Sequence, residues 1–222
     1  MDQIRPRLES LPFWDKLTPD QQEDLTCSAV IQQYAQGSIV HGCGSDCLGM
    51  ILVLQGALRV YLLSEEGREV TLFYLRQGEP CVLSAECVVR QIAFDSQMTA
   101  EENCTLLVIN SNAIGRLSQQ NIYARCFFYE LATERFSSVM WTMQQILFMR
   151  VDKRLATFLL QESERTGLSV VKMTHEQIAQ QISSTREVVA RILKRFSNEG
   201  LVEVRRGSIR LLDPAGLQQL TQ

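Results

Sequence analysis

The sequence predicts an α+β fold in three consecutive parts: an all-β N-terminal domain, a long helix, and a small helical domain that ends in a β-hairpin. Three observations predict it. Between about Val30 and Ile109, short apolar or alternating runs are broken by turn residues. From Ser111 to Phe148 there is no proline, Gly115 is the one glycine, and apolar residues recur at helical spacing. Beyond Arg150, short helical patterns are followed by two alternating runs. The expected boundaries are 1–110, 111–148 and 149–222.

In the first part the runs are 30–34 (VIQQY), 50–56 (MILVLQG), 57–75 and 104–109 (CTLLVI), and Ser64-Glu65-Glu66-Gly67 reads as a hairpin turn. Glycines at 37, 42, 44, 49, 56, 67 and 78 suit corners between strands, so a sandwich, roll or barrel is expected. In the second part Phe136, Val139, Met140, Met143, Ile146 and Leu147 follow the i, i+3, i+4, i+7 rule. One helix of about 35 residues would be roughly 50 Å long, more than a small β domain covers. A second copy of the chain is expected to bury the surplus stripe.

In the third part, residues 150–164 form a helix that Thr166-Gly167 ends. A helix-turn-helix is then expected from Thr174 to Asn198. Thr174 and Gln177 are spaced as a capping box, and Ile178, Ala179 and Ile182 supply apolar contacts. Ser184 and Glu187 repeat the box before a second helix that buries Val188 or Val189, Ile192 and Phe196. A glycine commonly occupies the position of Ser183, so serine fits only if the backbone there is not left-handed. Thr185, Arg186, Glu187, Ala190, Arg191 and Lys194 are left on the outer face. Arginine can hold guanine O6 and N7 with two hydrogen bonds and glutamate can accept from cytosine N4, so this face suits base reading. The plainer alternative is a solvated face with a Glu187–Arg191 pair. Residues 201–213 read as a hairpin wing, with Arg205, Arg206 and Arg210 available to phosphates.

Charge supports a polyanionic partner for the last part alone. Residues 1–149 hold 10 Lys and Arg against 17 Asp and Glu, whereas residues 150–222 hold 12 against 8. No apolar run is long enough to span a bilayer and the first eleven residues are too charged for a secretory signal, so a cytoplasmic protein without a membrane partner is expected. The seven cysteines form no C-x-x-C pair and the two histidines, His41 and His175, are far apart, which argues against a metal site. No nucleophile–base constellation or phosphate loop is present, so an enzyme is not expected.

The run from Thr185 to Asp213 (TREVVARILKRFSNEGLVEVRRGSIRLLD) resembles the DNA-reading unit of the Crp/Fnr regulators, and residues 52–79 resemble their cyclic-nucleotide-binding-like jelly-roll, a double-stranded β-helix. Residues 111–148 are similar to their dimerisation helix. The resemblance implies a winged helix-turn-helix transcriptional regulator that binds double-stranded DNA as a homodimer on a palindrome, with RNA polymerase as a further partner. It puts Arg186, Glu187 and Arg191 at base-reading positions and Thr174, Thr185 and Lys194 at phosphates. The cyclic-nucleotide residues of the family are missing. Counting from Gly78-Glu79, the ribose-binding pair falls on Val82 and Leu83, no Arg-Ser follows, and Arg90 is the only nearby cation. The two adenine-binding positions of the long helix fall on Val139 and Met140. Cyclic AMP is therefore not expected, because a buried phosphate without donors is strongly disfavoured.

No cofactor is evident. The N-terminal cysteine cluster of the family's iron–sulfur branch is missing from residues 1–26. Two ways of sensing remain. One is an apolar pocket at Val82, Leu83, Phe128, Val139 and Met140 for an unknown small molecule or for haem, which has only His41 to recommend it. The other is thiol chemistry at Cys81 and Cys87, or at Cys43 and Cys47. A β-roll module that regulates a partner protein is the alternative function; it predicts no base-reading helix.

Overall fold

The computed structural model describes residues 4–42, 48–67, 69–82 and 96–221. The chain divides into two compact units, Met1–Leu63 with Leu72–Met140, and Ser64–Thr71 with Trp141–Gln222.

The first unit opens with α1 (Arg5–Leu8), a 3-10 turn at Trp14–Lys16 and α2 (Pro19–Cys27). Strands β1 (Ala29–Tyr34), β2 (Ile39–His41), β3 (Met50–Gln55), β4 (Ala57–Leu63), β5 (Glu69–Arg76), β6 (Pro80–Cys81), β7 (Gln97–Ala100) and β8 (Cys104–Ile109) follow. They form two four-stranded sheets, ordered β1-β8-β3-β6 and β2-β7-β4-β5. The run MILVL is continuous rather than alternating because both faces of β3 are buried. Ile51 and Val53 join Leu58, Val60, Met98 and Leu106 between the sheets. Met50 and Leu52 face the opposite way, into a core shared with the N-terminal helices, α3 (Ser111–Gln120) and α4 (Ile122–Phe148). Gly67, with φ 79°, closes the expected turn by donating to the Ser64 carbonyl at 2.9 Å.

The long helix departs from expectation: it breaks at Asn121, whose backbone is extended (φ −128°, ψ 117°). Asn121 Oδ1 accepts from the Tyr123 and Ala124 amides, so it caps α4, while Nδ2 donates to the Lys16 carbonyl and to Gln21. The remaining helix of 27 residues is about 40 Å long.

The second unit holds α5 (Val151–Thr166), β9 (Val170–Val171), α6 (His175–Gln181), α7 (Arg186–Asn198), β10 (Val202–Arg205), β11 (Ser208–Leu211) and α8 (Pro214–Gln219). Gly167 ends α5 in the left-handed region at φ 67°. The wing hairpin is in register, Val202 opposite Leu211 and Arg205 opposite Ser208, and β9 adds a third strand on β11. Leu155, Leu159, Ile178, Val189, Leu193, Phe196 and Ile209 form its core.

Candidate nucleic-acid interface

Local chemistry fixes the two helices of the motif. Thr174 Oγ1 accepts from the Gln177 amide at 3.2 Å and Gln177 Oε1 accepts from the Thr174 amide at 2.8 Å, so the expected capping box is formed. The cap of α7 is one residue later than expected. Thr185, not Ser184, is the N-cap; its hydroxyl accepts from the Val188 amide, and Glu187 takes no part. Thr185 suits the position because its backbone is extended there. Between the helices Ser183 is left-handed, at φ 51°, and is the only non-glycine residue with positive φ among the described residues. The Ser184 amide bonds to the Ala179 carbonyl at 2.9 Å, which satisfies an end carbonyl of α6. Serine thus tolerates the backbone that glycine ordinarily supplies, at a cost of roughly 1–2 kcal/mol.

Val189, Ile192, Leu193 and Phe196 are buried at i, i+3, i+4 and i+7. That fixes the rotation of α7 and leaves Thr185, Arg186, Glu187, Arg191 and Lys194 exposed. Arg186, Glu187, Arg191 and Lys194 make no ion pair among the described residues, and the Glu187–Arg191 pair of the plainer reading is not formed. Neighbouring arginines behave differently. Arg165 pairs with Glu162, Arg150 and Arg195 both pair with Asp152 (3.2 and 3.0 Å), and Arg205 pairs with Glu203 at 2.8 Å. These arginines are paired with carboxylates, whereas the outer face of α7 carries no ion pair among the described residues.

On the wing, Arg206 is exposed with no ion pair among the described residues. Arg205 is held by Glu203 through both Nε and Nη2, and Arg210 lies 3.9 Å from the same carboxylate. A cleft of about 680 Å³ runs between wing and helices, lined by Thr174, His175, Glu176, Arg186, Arg205 and Arg206. Arg186 and Arg206, neither in an ion pair among the described residues, outweigh Glu176 and make it attractive to phosphate. Asp152 ties α5 to α7 through Arg195. Burial alone would push its carboxyl up, but the Arg195 hydrogen bond, the Lys153 amide and the charges of Arg150 and Arg195 hold it below the ordinary carboxylate range.

The expected sensor residues are only partly brought together. Val82 and Phe128 share one core, packed with Phe13 and Leu131. Val139 packs instead against the core between the sheets, and Met140 is 47% exposed on α4. Leu83, Arg90, Cys43, Cys47 and Cys87 lie outside the described residues. Cys81 is buried between the sheets, and His41 ends β2 half-buried. Sequence reasoning missed Arg135. Its guanidinium reaches from α4 to the Pro80 carbonyl (3.2 Å) and Glu79 (3.6 Å) and lies over the Phe73 ring, bringing a cation to the β5–β6 turn. An arginine 55 residues along the chain from Pro80 leaves no local signal of this contact. Among the described residues no cluster of His, Cys, Asp and Glu could hold a metal ion.

A β-sandwich, a long helix and a winged helix-turn-helix with an open cationic face define a class of DNA-binding transcriptional regulators. Residues 153–220 match the Crp-like helix-turn-helix domain, and residues 31–121 match the cyclic nucleotide-binding domain. The chain is 31% identical to the transcriptional regulatory protein btr of Bordetella pertussis, over 74% of this chain and 70% of that one. Its fold matches the crystal structure of a crp/fnr-family transcriptional regulator from Eubacterium rectale, with a TM-score of 0.88 and 38% identity over 95% of this chain and 98% of that one. It is 22% identical to the cAMP-activated global transcriptional regulator Vfr of Pseudomonas aeruginosa, over 78% of this chain and 85% of that one. The chain belongs to the Crp/Fnr family and is a transcriptional regulator of that type. No helix among the described residues is long and apolar enough to cross a membrane.

Proposed function

We propose that this regulator acts in the cytoplasm as a homodimer that lays two copies of α7 into successive major grooves of a palindromic operator. Arg186, Glu187 and Arg191 read base edges. Thr174, Thr185, Lys194, Arg205 and Arg206 hold phosphates, Arg206 more strongly than the Glu203-paired Arg205. RNA polymerase is the further partner once the protein is on DNA. The observation that carries this reading is the α7 face, where four charged side chains stand exposed without ion pairs among the described residues.

The effector is a small molecule other than cyclic AMP. Val82 stands where the ribose-binding pair begins, and among the described residues it is buried in the apolar core of Phe13, Phe128 and Leu131. Selection of binding sites from random duplex DNA, with and without reductant, tests the reading. A palindrome with half-sites about 10 bp apart supports it. Recovery of unrelated sequences in both conditions, with no effector able to change that, refutes it.

A further inference from the structure

Histidine is the one side chain that ordinarily changes charge between about pH 5 and 8, so a histidine beside a bound polyanion links binding to protons. The chain holds two, His41 and His175. His41 ends β2 in the first unit, whereas His175 is the first residue of α6 and lines the cleft between wing and helices. The His175 side chain is half-buried and makes no hydrogen bond or ion pair among the described residues. Local helix chemistry does not use it, because Thr174 and Gln177 complete the capping box between themselves. Charged groups meet the ring from every side of the cleft. Arg186 comes from α7, Arg205 and Arg206 from the wing, and Glu176 from its own helix. Glu203 stands behind Arg205 and is engaged by its Nε and Nη2 at 3.0 and 2.8 Å. Arginines and carboxylates ordinarily keep their charges near neutral pH, so the imidazole is the group in this cleft whose charge can change there.

We propose that His175 holds a DNA phosphate in this cleft as an imidazolium, so that each subunit takes up a proton on binding DNA and affinity rises as pH falls. The inference rests on the DNA-binding reading above and adds to it a dependence on pH. A neutral imidazole offers a phosphate one N–H, whereas the imidazolium offers two and a positive charge. A charge-assisted hydrogen bond is roughly twice as strong as a neutral one, so the charged ring holds the phosphate better. The phosphate in turn favours the charged form of the ring. The complex therefore carries more protons than the free protein, and lowering the pH tightens it. One proton per copy sets a ceiling of about tenfold in affinity per copy for each step of one in pH. A phosphate contact carries no sequence information, so the response is shared by every duplex.

Fluorescence anisotropy of the full chain gives Kd on the selected operator and on a random duplex, at about pH 7.5 and pH 6 and over a range of salt. Both duplexes should be bound at least about fivefold more tightly at the lower pH. The salt slope there should be steeper by up to about 2 for the dimer, a readout that a merely structural histidine would not move. His175→Gln should lose the response to pH, His175→Arg should bind tightly at both values, and His41→Gln should respond as wild type does. Operator binding indifferent to pH, or a response that survives in His175→Gln, overturns the inference and leaves the DNA-binding reading standing. Failure to bind either duplex at both pH values overturns the two together.

Discussion

Replacing Arg186 with alanine separates base reading from simple charge attraction. Arg186 is the first residue of α7, is exposed, and makes no ion pair among the described residues. Its removal therefore leaves the fold within about 0.5 kcal/mol of wild type. The loss falls on the complex. One bidentate contact to guanine is worth roughly 1–3 kcal/mol of discrimination, and a symmetric dimer makes it twice. The operator complex should weaken by about 2–6 kcal/mol, at the lower end roughly 30-fold in Kd. Fluorescence anisotropy at one fixed salt concentration measures this on the selected operator and on duplexes changed symmetrically at each base pair. Arg186→Ala should weaken the operator strongly and flatten discrimination at one pair per half-site. An equal loss on every sequence would make Arg186 a phosphate contact and refute the assignment.

Arg206→Ala should weaken operator and random DNA alike and shallow the salt slope by about 2 for the dimer, since each phosphate contact contributes about 0.9; Arg205→Ala should do less because Glu203 already neutralises it, and equal slopes for the two variants would contradict that ranking. Asp152→Asn should destabilise the second unit by roughly 1–3 kcal/mol at pH 7, because two arginines lose a charged partner. Its folded carboxyl titrates below the ordinary value of 3.8, so the stabilisation is complete above that value and fades as pH falls through the lowered folded value. Urea denaturation should therefore separate variant from wild type at pH 7 and bring them together in stronger acid; a gap that widens in acid contradicts the clamp. Ser183→Val should cost about 2 kcal/mol or more, since a β-branched residue is strained at φ 51°; a Tm equal to wild type would show that the turn can relax.

What was legible in the sequence was whatever rests on neighbours. The Thr174–Gln177 box, the Ser64–Gly67 turn and the Gly167 helix end are each set within a few residues, and each is in place. The buried rotation of α7 follows from its own periodicity, so the predicted outer face is exposed except at Ala190, which is half-buried. The break at Asn121 was not legible because Lys16 and Gln21, about a hundred residues earlier, hold its side chain. Ser183 was misjudged because a small polar residue can enter the left-handed region where the turn demands it. The wing arginines read as equivalent cations, yet Arg205 and Glu203 share one face of β10, which two-residue spacing on a strand implies. On α4 the apolar residues were read as one stripe. The structure sorts them into two, with Val139 turned toward the sheets and Phe136, Met140, Met143 and Leu147 outward.

The most direct test is methylation interference on the selected operator. Methyl groups at guanine N7 project into the major groove, where the two copies of α7 are placed. Two symmetric clusters of interference about 10 bp apart, each of which loses one guanine in Arg186→Ala, are the predicted result. A single cluster, or interference confined to adenine N3 in the minor groove, would contradict a dimer that reads DNA through α7.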